Sequence, residues 1–290
     1  MPELPELLHV RSKLSEGLAG GHVTAERVRE PVVLRFAVRG NLSLLLGRRL
    51  DQIIRKSHFL VFRFEGLDLA VNPMLAGRFR LVEPGEKDEA SLCFALTFAR
   101  DAARAASGGG GPEAELRYLD DKDMGKAYLI ATNDWKAIPG MQTGGVDILS
   151  PEFTRERFVS LLKHRRDQVR VFLLDKKALD SLGNAYADEV LFEAGIHPKT
   201  WCRSLGHDDA VRLHDAVVKV MTEAVAEVAR RDEPIENKVR DFLKVRRKEI
   251  CPRCGSKIRT AGVKGMDAYF CPRCQPETRP GLVDWRRTGL

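Results

Sequence analysis

Four cysteines near the C-terminus set the sharpest chemical requirement in this chain. They read Cys251-Pro-Arg-Cys254, then sixteen residues, then Cys271-Pro-Arg-Cys274. Each Cys-x-x-Cys knuckle brings two thiolates to one cation, and two knuckles complete the tetrahedral set that Zn2+ takes in structural sites. The stretch between them, Gly255 to Phe270, has glycines at its bends and β-formers on either side, enough for one hairpin. Disulfide pairing is the competing use of four cysteines. The opening Met1-Pro-Glu-Leu-Pro-Glu6 is acidic and unlike a targeting peptide, and reduced thiols favour metal. One structural Zn2+ is therefore expected on Cys251, Cys254, Cys271 and Cys274. Cys93 and Cys202 stand alone and read as buried thiols.

The other end carries a second reactive group. Methionine is trimmed when a small residue follows, which would leave Pro2 as a free secondary amine. An α-amino group titrates at about 8, against about 10.4 for lysine, so much of it is neutral and nucleophilic near pH 7. Attack of such an amine on a sugar C1′ gives an iminium ion, an electron sink for elimination. Glu3 is placed to act as general acid or base, and Glu6 follows one helical turn later. The same residues also suit an ordinary helix start, with Pro in the first turn and acids favoured by the dipole. A retained Met1 would make the Pro2 nitrogen an amide and end this chemistry.

Elements that must position these groups follow from the pattern of the rest. With 290 residues the chain is long enough for two domains, and its 43% apolar content is that of an ordinary globular protein. No run approaches the length of a membrane span, which excludes a membrane partner on this reading. The net charge is +7, and the excess is uneven. Lys238 to Arg259 holds nine Lys or Arg against two acids, and a second cluster runs from Lys163 through Arg166 and Arg170 to Lys177. Solvated helix faces explain most such runs, but two beside a zinc ribbon favour a polyanion.

Pro5–Leu18 has helical spacing, with Leu7, Val10, Leu14 and Leu18 on one face. Short apolar runs follow at residues 32–36, 42–46, 59–64, 67–71, 78–82, 92–98, 116–118 and 127–131, the pattern of an antiparallel sandwich or barrel. Ser107-Gly-Gly-Gly-Gly-Pro112 reads as a loop between two strands. Helices are expected over Thr154–Asp175, Ala185–Ala194, Asp208–Arg231 and Asn237–Val245. The fold class is α+β. The expected organisation is a β-sandwich domain over 1–135, a linker over 136–150, a helical domain over 151–248, and a zinc ribbon with tail over 249–290.

Taken together, the pieces resemble the formamidopyrimidine-DNA glycosylase/endonuclease VIII family of base-excision repair. The resemblance rests on the start Met1-Pro-Glu-Leu-Pro-Glu6, the basic stretch Arg165 to Asp175, the run Leu182-Gly-Asn-Ala-Tyr-Ala-Asp-Glu-Val-Leu-Phe-Glu-Ala-Gly-Ile-His-Pro198, and the four-cysteine ribbon. The third matches the family's helix-two-turn-helix signature almost residue for residue. The resemblance implies an N-terminal β-sandwich, a helical C-terminal domain and double-stranded DNA in the cleft between them. It also implies a monomeric, cytoplasmic bacterial enzyme. Its activity would be bifunctional: Pro2 displaces a damaged base, and the Schiff base then nicks the strand by β- and δ-elimination. Pro2 would be the nucleophile and Glu3 the acid/base. Asn184 would hold backbone phosphate, with Arg166 and Arg170 facing DNA. The target nucleotide would be flipped from the stack.

Several positions depart from the family's pattern. His58 takes the place of an active-site lysine; Lys56, two residues before it, could share its face as a DNA contact but sits one step away along the strand. An imidazole is a weaker phosphate ligand than an ammonium. The void-filling loop is Pro73-Met-Leu-Ala-Gly77, so Leu75 or adjacent Met74 would fill the gap left by a flipped base. In Asp120-Asp-Lys-Asp-Met-Gly125, Lys122 replaces an arginine that pairs with the orphan base, and Met124 replaces a wedge phenylalanine. Asp121 and Asp123 would face a polyanion. Met266 replaces a phosphate-clamping arginine, with Lys264 two residues earlier. These departures leave a non-catalytic or abasic-site-only damaged-DNA-binding protein as the alternative.

Overall fold

The computed structural model describes residues 2–36, 41–100, 112–141, 144–180 and 182–277. Helix α1 (Leu4–Leu18) opens the chain and buries Leu7, Val10, Leu14 and Leu18 along one stripe, as the spacing predicts. Among the described residues nine strands follow: β1 (His22–Val28), β2 (Leu34–Phe36), β3 (Leu50–Lys56), β4 (Phe59–Phe64), β5 (Leu67–Asn72), β6 (Arg78–Val82), β7 (Leu92–Ala99), β8 (Glu113–Leu119) and β9 (Lys126–Ala131). They form a four-stranded sheet, β1-β7-β8-β6, and a five-stranded sheet, β2-β9-β5-β4-β3. Every pairing in these two sheets is antiparallel except β2 with β9. Inward-facing Phe62, Phe64, Phe94, Phe98, Leu116 and Leu129 form one core with the apolar face of α1. The other face of the five-stranded sheet is covered by Trp135, Ile138 and Met141.

The sequence misses β1 and β3 because their residues are mostly polar: in β1 Val23 alone is buried. Leu42–Leu46, read as a strand, is instead a 3-10 turn (Leu42–Leu45). Asn41 caps it by accepting from the Ser43 N–H at 2.9 Å, and Leu42 and Leu45 are buried three apart, not two. The glycine-rich loop of 107–111 lies outside the described residues.

A second group of elements comprises β10 (Val146–Asp147), α2 (Arg155–Lys163), α3 (Val169–Leu173), β11 (Leu179–Asp180), α4 (Asn184–Ala194), α5 (His207–Arg231), β12 (Arg259–Val263) and β13 (Met266–Phe270). The helix expected over Thr154–Asp175 is two helices. Thr154 caps the first, and the Arg165 guanidinium binds Asp167 at 2.6 Å and Asp175 at 2.7 Å across the break. Asn237–Val245 is not a helix, because the N–H groups of Lys244 and Val245 are given to the Glu189 carboxylate at 2.7 and 2.9 Å. Gly195 ends α4 in the left-handed region, at φ 69, as a C-terminal glycine does.

The chain divides into two compact units: residues 1–143 with 224–239, and residues 144–223 with 240–290. The C-terminal end of α5 thus belongs with the sandwich. No helix among the described residues is long and apolar enough to cross a membrane. The core requires α1 as its lid, so Leu14→Ala should cost about 2–5 kcal/mol in urea unfolding, with the m-value unchanged.

Candidate active site, probing loops and metal centre

Pro2 and Glu3 lie buried at the entry to α1, with Glu3 4% exposed at the N-cap. The Glu3 N–H donates to Glu6 Oε2 at 2.7 Å, half of a reciprocal capping box. The capping that makes Glu3–Glu6 an ordinary helix start therefore also holds Glu3, one of the groups expected to act. Farther along the same helix, His9 Nε2 meets the Glu233 carbonyl at 2.8 Å. Glu6, His9 and Val10 share a small cleft with Val228, Ile235 and Asn237. The sequence gives no signal that residues 228–239 return to α1.

His58 is buried, 2% exposed, in the two-residue turn joining β3 to β4. The turn takes Ser57 to φ 52, a conformation non-glycine residues rarely adopt. Lys56 does not accompany His58. It pairs with Phe59 across the hairpin, and its Nζ lies 5.3 Å from the Trp135 ring centroid on the outer face of the sheet.

Two loops cross from one sheet to the other side by side. The first, Asn72 to Gly77, joins β5 to β6; the second, Asp120 to Gly125, joins β8 to β9. Both begin with a side-chain turn: Met74 N–H donates to Asn72 Oδ1, and Lys122 N–H to Asp120 Oδ1, each at 3.0 Å. Leu75 is 54% exposed at the tip of the first, and Met124 is 39% exposed in the second; Met74 is half-buried, at φ 47, and Lys122 is exposed. Asp121 does not stand free before a polyanion. Arg78 holds it through two bonds of 2.6 and 3.2 Å, and that contact keeps its carboxyl below the ordinary range. Arg78 directly follows Gly77, so the pair also ties the loops together.

In the second unit the structure separates groups that the sequence treats alike. Arg166 is exposed. Arg170 is not a surface cation: it is wholly buried, and its guanidinium donates to Asp188 Oδ1 at 2.9 Å, Asn184 Oδ1 at 3.1 Å and the Asp267 carbonyl at 3.2 Å. Charge patterning alone does not distinguish these two arginines. Asn184, the first residue of α4, is thereby oriented by Arg170. Asp188 also accepts from Arg246 at 2.6 Å, and Glu189 takes the backbone N–H groups of Lys244, Val245 and Arg246. Burial pushes both carboxyls up, while the guanidiniums pull Asp188 back down and the three N–H groups do so for Glu189.

The four cysteine sulfurs lie within 4.8 Å of one another. Cys251 and Cys274 are 3.9 Å apart and Cys254 and Cys271 are 3.4 Å apart. Sulfurs at about 2.3 Å from a tetrahedral Zn2+ stand about 3.8 Å apart, whereas a disulfide needs about 2 Å. The donor set thus fits one structural zinc with no open position. Gln275, fully buried, joins the knuckle to the helical part by accepting from the Cys271 N–H and donating to the Ile196 carbonyl, both at 2.9 Å. Lys264 and Gly265 form the exposed β12–β13 turn, both at positive φ, with Met266 beside them. Cys93 and Cys202 are buried, and burial pushes each thiol up to about 12, which removes them as nucleophiles.

Comparisons with known proteins agree with this arrangement. The formamidopyrimidine-DNA glycosylase N-terminal domain matches residues 1–127, the H2TH domain of the same proteins matches 145–232, and the zinc finger found in FPG and IleRS matches 248–276. The formamidopyrimidine-DNA glycosylase of Symbiobacterium thermophilum is 32% identical over 95% of this chain and 90% of its own length. That of Salinispora arenicola is 30% identical over 97% and 99%. A crystal structure of the Lactococcus lactis Fpg with DNA containing an abasic site superposes with a TM-score of 0.82, at 25% identity, over 94% of this chain and 99% of that one. The chain belongs to the formamidopyrimidine-DNA glycosylase family.

Asp188→Ala would leave Arg170 buried without its carboxylate. It should destabilise the second unit by about 3–5 kcal/mol in denaturant unfolding.

Proposed function

We propose that this protein is a DNA glycosylase and abasic-site lyase of base-excision repair. The observation that carries the reading is that relatives named formamidopyrimidine-DNA glycosylase align with 95% of the chain or more, with Pro2 and Glu3 buried at the head of α1 as its support. Pro2, freed of Met1, attacks C1′ of a flipped damaged nucleotide as the base departs. Glu3 transfers the proton that the departing base and the opening sugar require. The resulting iminium draws electrons from C2′, which loses a proton as the 3′ phosphate leaves; a second elimination releases the 5′ phosphate. His58 stands nearest to the missing lysine's role, with an imidazole as the phosphate ligand where the family uses an ammonium. Leu75 and Met124 fill the gap in the duplex. Arg166, Asn184 and Lys264 hold phosphates, and the zinc keeps the Lys264 hairpin rigid. The sandwich of 1–135 is the catalytic domain and 151–248 the DNA-binding domain.

Two departures give the alternative its standing: His58 in place of a lysine, and Lys122 in place of an arginine. A glycosylase should form a borohydride-trapped adduct with duplex carrying 8-oxoguanine or an abasic site, and lose it with Pro2→Gly. Adducts on abasic duplex alone would mark an abasic-site lyase, and tight binding with no adduct a pure damage binder. His58→Lys should raise base excision. Arg166→Ala and Lys264→Ala should each lower the slope of log K against log salt by about one, with little sequence dependence.

A further inference from the structure

The two crossover loops repeat one design. Asn72-Pro-Met-Leu-Ala-Gly77 and Asp120-Asp-Lys-Asp-Met-Gly125 each begin with a side-chain turn and end in glycine five residues later. Each includes one non-glycine residue at positive φ, Met74 at 47 and Asp123 at 51. Asn72 pairs with Lys126, and Arg78 with Leu119, so the loops leave neighbouring strands in both sheets.

Their closing glycines meet at one atom. A Cβ on Gly77 would lie 2.2 Å from the Tyr118 hydroxyl oxygen, and a Cβ on Gly125 would lie 1.8 Å from it. No side chain fits at either position, so both backbones close onto the phenol. The ring is fixed from below by Phe79 and Phe94, with centroids 5.4 and 5.3 Å away. Tyr118 is 0% exposed, and its hydroxyl has no hydrogen-bond partner among the described residues. A buried, unpaired hydroxyl lowers stability, and phenylalanine would fill the ring's place without that cost. Packing of the sandwich core therefore does not account for the hydroxyl; the space it fills between the two glycines does.

We propose that Tyr118 is a positioning residue that locks the 73–77 and 120–125 loops to each other, so that Leu75 and Met124 act as one two-pronged wedge. The DNA part of this proposal rests on the function proposed above; the locking does not. Each loop has an amide that reports its closure: Gly77 N–H donates to the Pro73 carbonyl at 2.8 Å, and Gly125 N–H to Asp120 Oδ2 at 2.6 Å.

Tyr118→Phe tests it in the free protein. Hydrogen exchange at the Gly77 and Gly125 amides should accelerate together, about tenfold or more, while the Tm stays equal or rises. Unchanged exchange, acceleration in one loop alone, or a fall in Tm with general loss of protection would overturn the locking. On duplex with a stable abasic analogue, Leu75→Ala and Met124→Ala should each weaken binding about tenfold, and the double variant little more than either. In the Tyr118→Phe background the two effects should multiply. Multiplying effects in the parent, or coupling that survives Tyr118→Phe, would sink the wedge. If the parent binds damaged and undamaged duplex alike, the functional reading fails, and the exchange result still decides the locking.

Discussion

Asp188 and Glu189 are consecutive, buried acids on α4, and the second unit is organised around them. Asp188 holds Arg170 and Arg246, both of which also reach the Asp267 carbonyl in the zinc hairpin. Glu189 holds the backbone that leads into the first cysteine knuckle. A helix, a chain segment and a metal ribbon are thereby fixed to one pair of carboxylates. Removing one buried partner of such a network leaves an uncompensated charge, so the network specifies the arrangement more strongly than its net stabilisation suggests. Gln275 joins the four-cysteine knuckle to the same unit through the Cys271 N–H and the Ile196 carbonyl.

The sandwich shows a comparable economy. The hydrogen bonds that start α1 also seat Glu3, and the crossover loops that join the sheets also present Leu75 and Met124 to solvent. Arg78 and Asp121 neutralise each other between those loops, which removes the charge conflict that Asp121 would otherwise bring to a polyanion. The three domains of the family are all matched, from the sandwich to the zinc finger.

Much of this was legible in the sequence, and the parts that were not share physical causes. The cysteine spacing, the stripe on α1 and the run from Leu182 to Pro198 are local patterns, and each appears where its spacing put it. Arg170 read as a surface cation because its partner lies eighteen residues away on another helix. Lys56 read as a companion of His58 because the strand was carried through a turn that Ser57 makes at positive φ. The Asn237–Val245 stretch has helical composition, but the Glu189 carboxylate takes its last amides. For Arg170 and for Asn237–Val245 a partner from beyond the local pattern outweighs a local preference, whereas for Lys56 the turn itself is local.

The central claim is that the Pro2 nitrogen is the nucleophile. Its most direct test maps the attachment point: borohydride-trapped complex with abasic duplex is digested, and the DNA-bearing peptide is sequenced by mass spectrometry. The account predicts the sugar remnant on the amine of a peptide beginning at Pro2, with Met1 gone. A remnant on a lysine, or a trapped chain that still begins with Met1, would contradict it.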